Sequence, residues 1–279
     1  IDHQNFYGQN HPIIANTMSN LAETYRELAE FEKALPLQQR ALEIYEKAFG
    51  SVHPKTAFGL NNLAVTYSQL GLYEKSLPLL ERSLEINEKI YGGMHHSVAT
   101  SLNNLASTYS GLGQHEKALS LHQRSLMIDE AVFGHFHPST ANRLNNLALA
   151  FGALRQPENA ILHLKRALAI LENTSSPVDV STATTLNNLA MTYRDLGQLE
   201  LVLPLHQRAL SMVEKELGPL HPSTASSLGN LAYEHLLRGQ PEVAVVFLKF
   251  AVNIYQSQRE RVSTLGNTEL KSYTKMVEG

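Results

Sequence analysis

The sequence contains no cysteine among its 279 residues and no run of 18 consecutive apolar residues. The first absence excludes a disulfide framework and thiolate metal sites and fits a reducing compartment, so we expect a cytoplasmic protein. The second leaves no segment that is long enough to cross a membrane as a helix. We therefore expect no membrane partner.

An excess of positive charge is also lacking. The chain has 23 basic and 26 acidic residues, which gives a formal net charge of -3. Such a balance provides no attraction to a phosphate backbone, so nucleic acid is not expected as a partner. Hydrophobic residues make up 43% of the chain and charged residues 18%, which is typical of an ordered protein.

Catalytic motifs are absent as well. The sequence has no phosphate-binding glycine loop, no dinucleotide fingerprint and no serine in a nucleophile elbow, so we expect neither an enzyme nor a cofactor. Five of the 13 histidines stand at the same repeat position, which places them in different structural units: His11, His53, His95, His137 and His221. His122 and His206 hold equivalent positions two units apart. We therefore expect no metal site.

What the chain does contain is a repeat. Asn-Leu-Ala recurs six times at steps of 42 residues, and His-Pro stands nine residues before it in four copies. The third copy reads His95-His96 and the fifth reads Asp179-Val180. The six copies of the tripeptide begin at Asn20, Asn62, Asn104, Asn146, Asn188 and Asn230.

Each unit predicts two helices. In the second copy, Pro54 suits a first helical turn, an apolar stripe follows at helical spacing, and Gly71 ends the helix. Gly92 ends a second helix, in which we place Pro78, like Pro36, near the end of the first turn. Small residues such as Ala64 mark tight contacts between helices.

A single hairpin of two helices cannot bury its apolar stripe, whereas stacked hairpins can. The expected fold class is therefore all-α, an α-solenoid (a right-handed superhelix) of six 42-residue helix–turn–helix units whose inner wall is lined by the first helices. We expect the tail of a preceding repeat at 1–10, six tandem repeats at 11–258, and a C-terminal capping segment with a short helix at 259–279.

The pattern Asn-Leu-Ala-x-x-Tyr-x-x-Leu-Gly, followed by Glu-Lys-Ala-Leu, resembles tetratricopeptide repeats (TPR). The 42-residue period and the Gly-x-x-His-Pro linker are similar to the kinesin light chain type. That resemblance implies that short peptides bind along the inner groove. The segment from Ala251 to Arg259 also resembles the junction before a caspase-like CHAT domain, as found in bacterial TPR-CHAT proteins.

Helical geometry places a row of asparagines opposite the packed stripe, facing the groove. A carboxamide both donates and accepts hydrogen bonds, so such a row suits the main chain of an extended peptide. Apolar anchors and carboxylates of the ligand would meet neighbouring side chains. The predicted peptide-binding residues are Asn61, Asn62, Asn103, Asn104, Asn145, Asn146, Asn187, Asn188, Arg143, Leu149, Met191, Arg194 and Tyr233.

An alternative role for the asparagines is structural: they could bond to the neighbouring repeat and fix its orientation. The series through Asn62 is present in all six copies and suits either role. The series through Asn61 is lost at Ser19 and Gly229, which favours ligand contact. Two functions follow: a scaffold that binds a protein or peptide ligand in its groove, or the regulatory region of a larger effector such as a CHAT protease, whose partner could be another domain of the same parent protein.

Overall fold

The computed structural model describes residues 10–173 and 180–258, and these residues fold into helices joined by short turns, without a strand. The first helices of the six repeats are Pro12–Glu27 (α1), Pro54–Gln69 (α3), His96–Gly111 (α5), Pro138–Ala153 (α7), Val180–Asp195 (α9) and Pro222–Leu237 (α11). The second helices are Phe31–Phe49 (α2), Tyr73–Tyr91 (α4), His115–Phe133 (α6), Pro157–Glu172 (α8), Val202–Leu217 (α10) and residues 241–258 (α12). The expected helical hairpins are confirmed.

The chain divides into two compact units, Ile1–Gln156 and Pro157–Gly279. Unit 1 contains α1 to α7, and each of its helices contacts the next one along the chain. The first helices α1, α3, α5 and α7 also contact one another in that order. Unit 2 contains α8 to α12, with the same consecutive packing. Residues 1–9 of the expected tail at 1–10, and all of the expected cap at 259–279, lie outside the described residues.

Apolar side chains at helical spacing build the core between successive hairpins. In unit 1, Leu42 of α2 packs with Leu60 and Leu63 of α3 and with Ile86 of α4. The small residues predicted at the tight contacts are buried, Ala64 completely. Because this cluster combines side chains of the first and second repeats, stacking of the hairpins completes the burial of the apolar stripe, which is the physical basis of the solenoid.

The histidine of the His-Pro motif caps the following helix, a role that the sequence reasoning missed. In five repeats its Nδ1 accepts a hydrogen bond from the backbone N–H two residues later, at 3.1 to 3.3 Å. Proline occupies the first helical position as predicted, except in α5, where His96 replaces it, and in α9, which begins at Val180. The capping ring also stacks on the aromatic residue that ends the preceding helix, for example His95 on Tyr91 at 4.2 Å.

The first helices end on a residue with positive φ, as the glycine pattern predicts. Gly71 has a φ of 72°, but Ala29 and Arg155 hold the same conformation at the same repeat position, where a Cβ is unfavourable. The predicted placement of Pro36 and Pro78 at the end of the first turn of the second helices was wrong by two positions. α2 begins at Phe31, so Pro36 lies inside the helix, beyond its first turn.

Candidate functional site

The surface of interest is the side of the first helices that carries the asparagine rows. We call it the ladder face. It consists of the asparagine series through Asn61, the series through Asn62, and the residues three positions after the series through Asn62, which are Val65, Ser107, Leu149, Met191 and Tyr233. The last three are apolar and well exposed, at 55%, 51% and 53%. Leu149 belongs to unit 1, whereas Met191 and Tyr233 belong to unit 2.

In unit 1 the asparagines bond to one another across repeats. Nδ2 of Asn104 donates to Oδ1 of Asn61 at 2.9 Å, and Nδ2 of Asn146 donates to Oδ1 of Asn103 at 2.8 Å. In the third and fourth repeats, the second asparagine thus holds the first asparagine of the repeat before it. Carboxamides of both series contribute to the structure, through a neighbouring side chain rather than through a neighbouring backbone.

The exposure of the asparagines differs along the face. Asn103 and Asn145 are only 8% and 6% exposed, and Asn145 also donates to the carbonyl of Ala141 in its own helix. The other six predicted asparagines are half-buried: Asn61, Asn62, Asn104, Asn146, Asn187 and Asn188. Among the described residues, the carboxamide of Asn62 makes no hydrogen bond. It is therefore available to another molecule.

Arg143 is engaged inside unit 1. Its Nε donates to Oδ2 of Asp129 at 2.7 Å and its Nη2 donates to Oγ1 of Thr100 at 3.1 Å. Asp129 is fully buried, and its other oxygen lies 2.9 Å from Nδ1 of His96. Because removing a partner from a buried carboxylate is costly, the first role of Arg143 is to neutralise Asp129.

Arg194 has the corresponding role in unit 2. It donates to Oε2 of Glu234 at 2.8 Å, while Arg238 donates to Oε1 at 2.7 Å. Glu234 is 2% exposed, and burial alone would raise its pKa. The hydrogen bonds and charges of Arg238 and Arg194 outweigh that effect and hold the pKa of Glu234 below its ordinary value. The guanidinium of Arg194 also lies 5.1 Å from the ring centre of Tyr233.

Glu234 is the residue of this site that sequence reasoning missed. Its repeat position holds threonine in four other copies and alanine in the remaining one: Thr24, Thr66, Thr108, Ala150 and Thr192. An acidic residue at a position that is otherwise small was the signal. Arg238, four residues after Glu234, and Arg194, on the first helix of the preceding repeat, supply the positive charge that a buried carboxylate needs.

Two buried histidines lie behind the ladder face. His122 in α6 is 4% exposed, and burial, helped by the charge of Arg143, lowers its pKa to about 4. His206 in α10 is 1% exposed, and its Nδ1 lies 2.8 Å from Oδ1 of Asn187. Burial, and then the charge of Arg194, lowers the pKa of His206 to about 4 as well. Both rings are therefore neutral near pH 7, and Nδ1–H of His206 donates a hydrogen bond to Oδ1 of Asn187.

Across 10–173 and 180–258, no three histidine, aspartate or glutamate side chains come close enough together to bind a metal ion. In the same stretches, every helix is too short or too polar to pass through a lipid bilayer.

Comparison with solved structures gives the same architecture. A Podosopora anserina protein described as a kinesin light chain with nearly identical TPR-like repeats is 27% identical, with a TM-score of 0.59 over 74% of this chain and 98% of that one. BtubC (BKLC) from P. vanneervenii is 20% identical, with a TM-score of 0.61 over 84% and 91%. A Rap protein in complex with Competence and Sporulation Factor is 16% identical, with a TM-score of 0.62 over 87% and 75%. The last two likenesses concern the fold alone.

A search of the curated proteins finds no match. The family model of the tetratricopeptide repeat, in contrast, matches residues 2–47, 13–89, 55–131, 97–173 and 181–257, which together cover most of the sequence. Together with the 42-residue period and the stacked helical hairpins, this match shows that the chain belongs to the tetratricopeptide repeat family.

Proposed function

We propose that this protein is an interaction scaffold whose ladder face forms a groove for an extended segment of a partner protein. The observation that carries the proposal is the recurrence, on α7, α9 and α11, of a half-buried asparagine three residues before an exposed apolar side chain: Asn146 with Leu149, Asn188 with Met191 and Asn230 with Tyr233. The proposed activity is binding and not catalysis.

The carboxamides suit the main chain of the ligand. An extended segment presents N–H and C=O groups whatever its sequence, and a carboxamide pairs with either. Asn62 is the best placed, because it is half-buried and its carboxamide makes no hydrogen bond to the described residues that a ligand would have to replace. The other asparagines of the ladder can offer their remaining donor or acceptor. Asn103 and Asn145 expose so little surface that their contribution to binding is mainly to position their neighbours.

The apolar positions supply the affinity. Leu149 in unit 1 and Met191 and Tyr233 in unit 2 are each about half exposed, so a ligand side chain that covers them removes apolar surface from water. Arg194 remains a proposed contact for a ligand carboxylate, although Glu234 already neutralises much of its charge. Arg143 is 11% exposed and offers even less to a ligand.

The structural likeness supports a binding role. The Rap protein of the same fold is seen in a complex with Competence and Sporulation Factor, so helical repeats of this kind do hold other molecules. At 16% identity, the likeness supports the type of function, which is binding.

The test is a display screen of random extended peptides, followed by fluorescence anisotropy on the peptides that bind. Leu149→Ala is expected to weaken binding by on the order of tenfold, if Leu149 is an anchor in the centre of the contact. The expected change in the midpoint of urea unfolding is small, because Leu149 is more than half exposed.

Phe136→Ala is the matched control. Phe136 is the most exposed large apolar residue described, at 84%, but it lies in the turn between α6 and α7, away from the ladder face. If peptides bound through nonspecific hydrophobic contacts, the Phe136→Ala change would lower their affinity more than the Leu149→Ala change. Equal affinities of the Leu149→Ala variant and the unchanged protein would rule out the groove in unit 1.

The second function, regulation of a larger effector such as a CHAT protease, stays a prediction. It needs the same ladder face, because a sensor must also bind its partner. Sequencing the gene downstream of Gly279 separates the two: a caspase-like domain in the same reading frame supports the regulatory role, and an early stop codon argues against it.

A further inference from the structure

A pocket of about 160 Å³ opens where the second and third repeats meet, between α3, α4 and α5. It lies beside the ladder face, because Asn61 is part of its wall. We call the place where two repeats meet a junction, and this is the second junction of unit 1. The wall is formed by Pro54, Ala57, Phe58, Asn61, Ser83, Asn87, Tyr91, His96, Ser97, Thr100 and Ser101.

At the first junction, the protein fills the same space with its own tyrosine. Tyr45 stands 42 residues before Asn87 and is fully buried. Its hydroxyl donates to Oδ1 of Asn16 at 2.8 Å and lies 3.3 Å from Oγ of Ser19. Asn16 and Ser19 are the equivalents of the wall residues Phe58 and Asn61. Tyr45 thus shows which group fits this space.

A glycine makes room for that tyrosine. Gly59 is the equivalent of Ser101, and a Cβ at Gly59 would come within 3.1 Å of Cδ2 of Tyr45. A side chain at the glycine position would therefore crowd the tyrosine ring, which would have to shift by a few tenths of an ångström. At the second junction the pair is Asn87 and Ser101 instead, and two short polar side chains leave the space open.

At the third junction, a charged pair closes the space. Arg143 is the equivalent of Ser101 and Asp129 is the equivalent of Asn87. Their ion pair at 2.7 Å, with the bond from Arg143 to Thr100, spans the corresponding volume. The second junction is thus an open pocket between two neighbours that are closed by their own side chains.

The chemistry of the open pocket matches a ring with a hydroxyl group. An engineered cavity of about 150 Å³ holds a benzene molecule, so the volume admits one six-membered ring. Asn87 is 8% exposed; its Nδ2 donates to Oγ of Ser101 at 2.9 Å, but its carbonyl oxygen accepts no hydrogen bond from the described residues. Apart from His96, the wall has no ionisable side chain that would neutralise a charged guest.

We propose that this pocket receives the p-hydroxyphenyl side chain of a tyrosine in the segment bound on the ladder face. The ring lies against Phe58 and Tyr91, and the hydroxyl donates to Oδ1 of Asn87. The source of the ring rests on the proposed function, while the pocket itself can be tested without a peptide. Because the first and third junctions are closed, one anchor sets the register of the bound segment in unit 1.

The probe is p-cresol, the isolated side chain of tyrosine, titrated into the isotope-labelled protein while backbone amide shifts are recorded. Saturable shifts are expected at Asn61, Asn87 and Ser101. Toluene, which lacks the hydroxyl, is expected to bind roughly three- to tenfold more weakly, because it leaves the carbonyl of Asn87 unpaired.

Two plugged variants copy the neighbouring junctions. Asn87→Tyr with Ser101→Gly reproduces the pair at 45 and 59, and Asn87→Asp with Ser101→Arg reproduces the pair at 129 and 143. Each is expected to abolish the p-cresol shifts, and the second serves if the first does not fold. The reverse change, Tyr45→Asn with Gly59→Ser, is expected to open a second p-cresol site beside Asn16.

Absence of p-cresol shifts at the pocket, or shifts that persist in a folded plugged variant, overturns the proposal whether or not the protein binds peptides. If p-cresol enters the pocket but no peptide binds on the ladder face, the proposed function fails and the partner tyrosine fails with it. The last test uses peptides selected for binding, with their tyrosine changed to alanine. The change is expected to lower their affinity for the protein with the open pocket and to leave their affinity for the plugged variants unchanged.

Discussion

The two units link their first helices by different chemistry. In unit 1 the links have neutral acceptors. Asn104 donates to Asn61 and Asn146 donates to Asn103, the hydroxyls of Ser68 and Thr108 pair at 2.9 Å, and the cations Arg143 and Lys55 donate to Thr100 and Asn16. In unit 2 the link between α9 and α11 is an ion pair of Arg194 with the buried Glu234, which Arg238 completes. The repeat period is the same in both, so identical spacing does not require identical contacts.

The difference has consequences for stability. A neutral hydrogen bond contributes roughly 0.5–1.5 kcal/mol, and its loss is tolerable. A buried carboxylate that loses its partners, or arginines that lose a buried carboxylate, cost about 3–5 kcal/mol. The ion pair between α9 and α11 is therefore expected to be more sensitive to a single change than the asparagine pairs of unit 1 are.

The largest effect is expected for Glu234→Thr, which places in α11 the threonine found at this position in four other repeats. The change leaves Arg194 without its partner beside the core, since that side chain is only 19% exposed. The expected loss is about 3 kcal/mol in the free energy of unfolding of unit 2, measured by urea titration.

Adding Arg194→Ser provides the matched control, because serine occupies this position in α3 and α5, as Ser68 and Ser110. The double variant converts the charged link into the neutral kind and is expected to recover most of the loss. If the double variant is no more stable than Glu234→Thr alone, the penalty does not come from the unpaired arginine and the contrast between the units is wrong.

Acid is expected to weaken both units through one histidine in each. His122 and His206 have folded pKa values of about 4, against 6.5 for an unperturbed histidine. The unfolded chain therefore binds protons first, so the contribution is complete above about pH 6.5 and is lost as the pH falls through 4. We expect a loss of about 2 kcal/mol per histidine between pH 7 and pH 4 in urea titrations.

Leucine is the control residue here, because Leu80 and Leu164 occupy the equivalent positions in α4 and α8. His122→Leu is expected to flatten the pH dependence of unit 1, and His206→Leu that of unit 2. Below about pH 4.5 unit 2 is expected to lose further stability as Glu234 is protonated, because its folded pKa is lowered. A pH profile that is unchanged in both leucine variants would contradict the assignment.

The sequence predicted the features that depend on spacing. The helix pairs, the glycine ends and the buried alanines such as Ala64 follow from a period of 42 residues and were correct. The contacts within the ladder could not be predicted. Whether Asn104 reaches the side chain of Asn61 or its backbone depends on the rotation between neighbouring hairpins, and the period carries no information on that rotation.

The sequence did not predict the pocket or the ion pair of Glu234 with Arg194, for a related reason. Each depends on two residues that differ from their equivalents at once, such as Tyr45 with Gly59 or Glu234 with Arg194. Comparing one position along the repeats shows a substitution, but only the structure shows which second position compensates it. Sequence reasoning therefore identified the ladder face and left its pairings open.

The smallest effect is expected at the ladder itself and separates the two asparagine series. Asn61→Ala removes the acceptor of Asn104 and is expected to lower the free energy of unfolding by about 1 kcal/mol. Asn62→Ala removes a carboxamide with no hydrogen bond among the described residues, so stability is expected to stay within about 0.5 kcal/mol. Peptide affinity is expected to fall in the Asn62 variant, since that carboxamide is free for the ligand.

The pair of variants decides between two roles for neighbouring, chemically identical residues. They lie on the same helix, have similar exposure and undergo the same change, so helix propensity and solvation largely cancel between them. A stability loss that is equal in both variants would mean that the hydrogen bond of Asn104 contributes nothing measurable. A loss of affinity in the Asn61 variant alone would reverse the roles, making the series through Asn61 the one that contacts the partner.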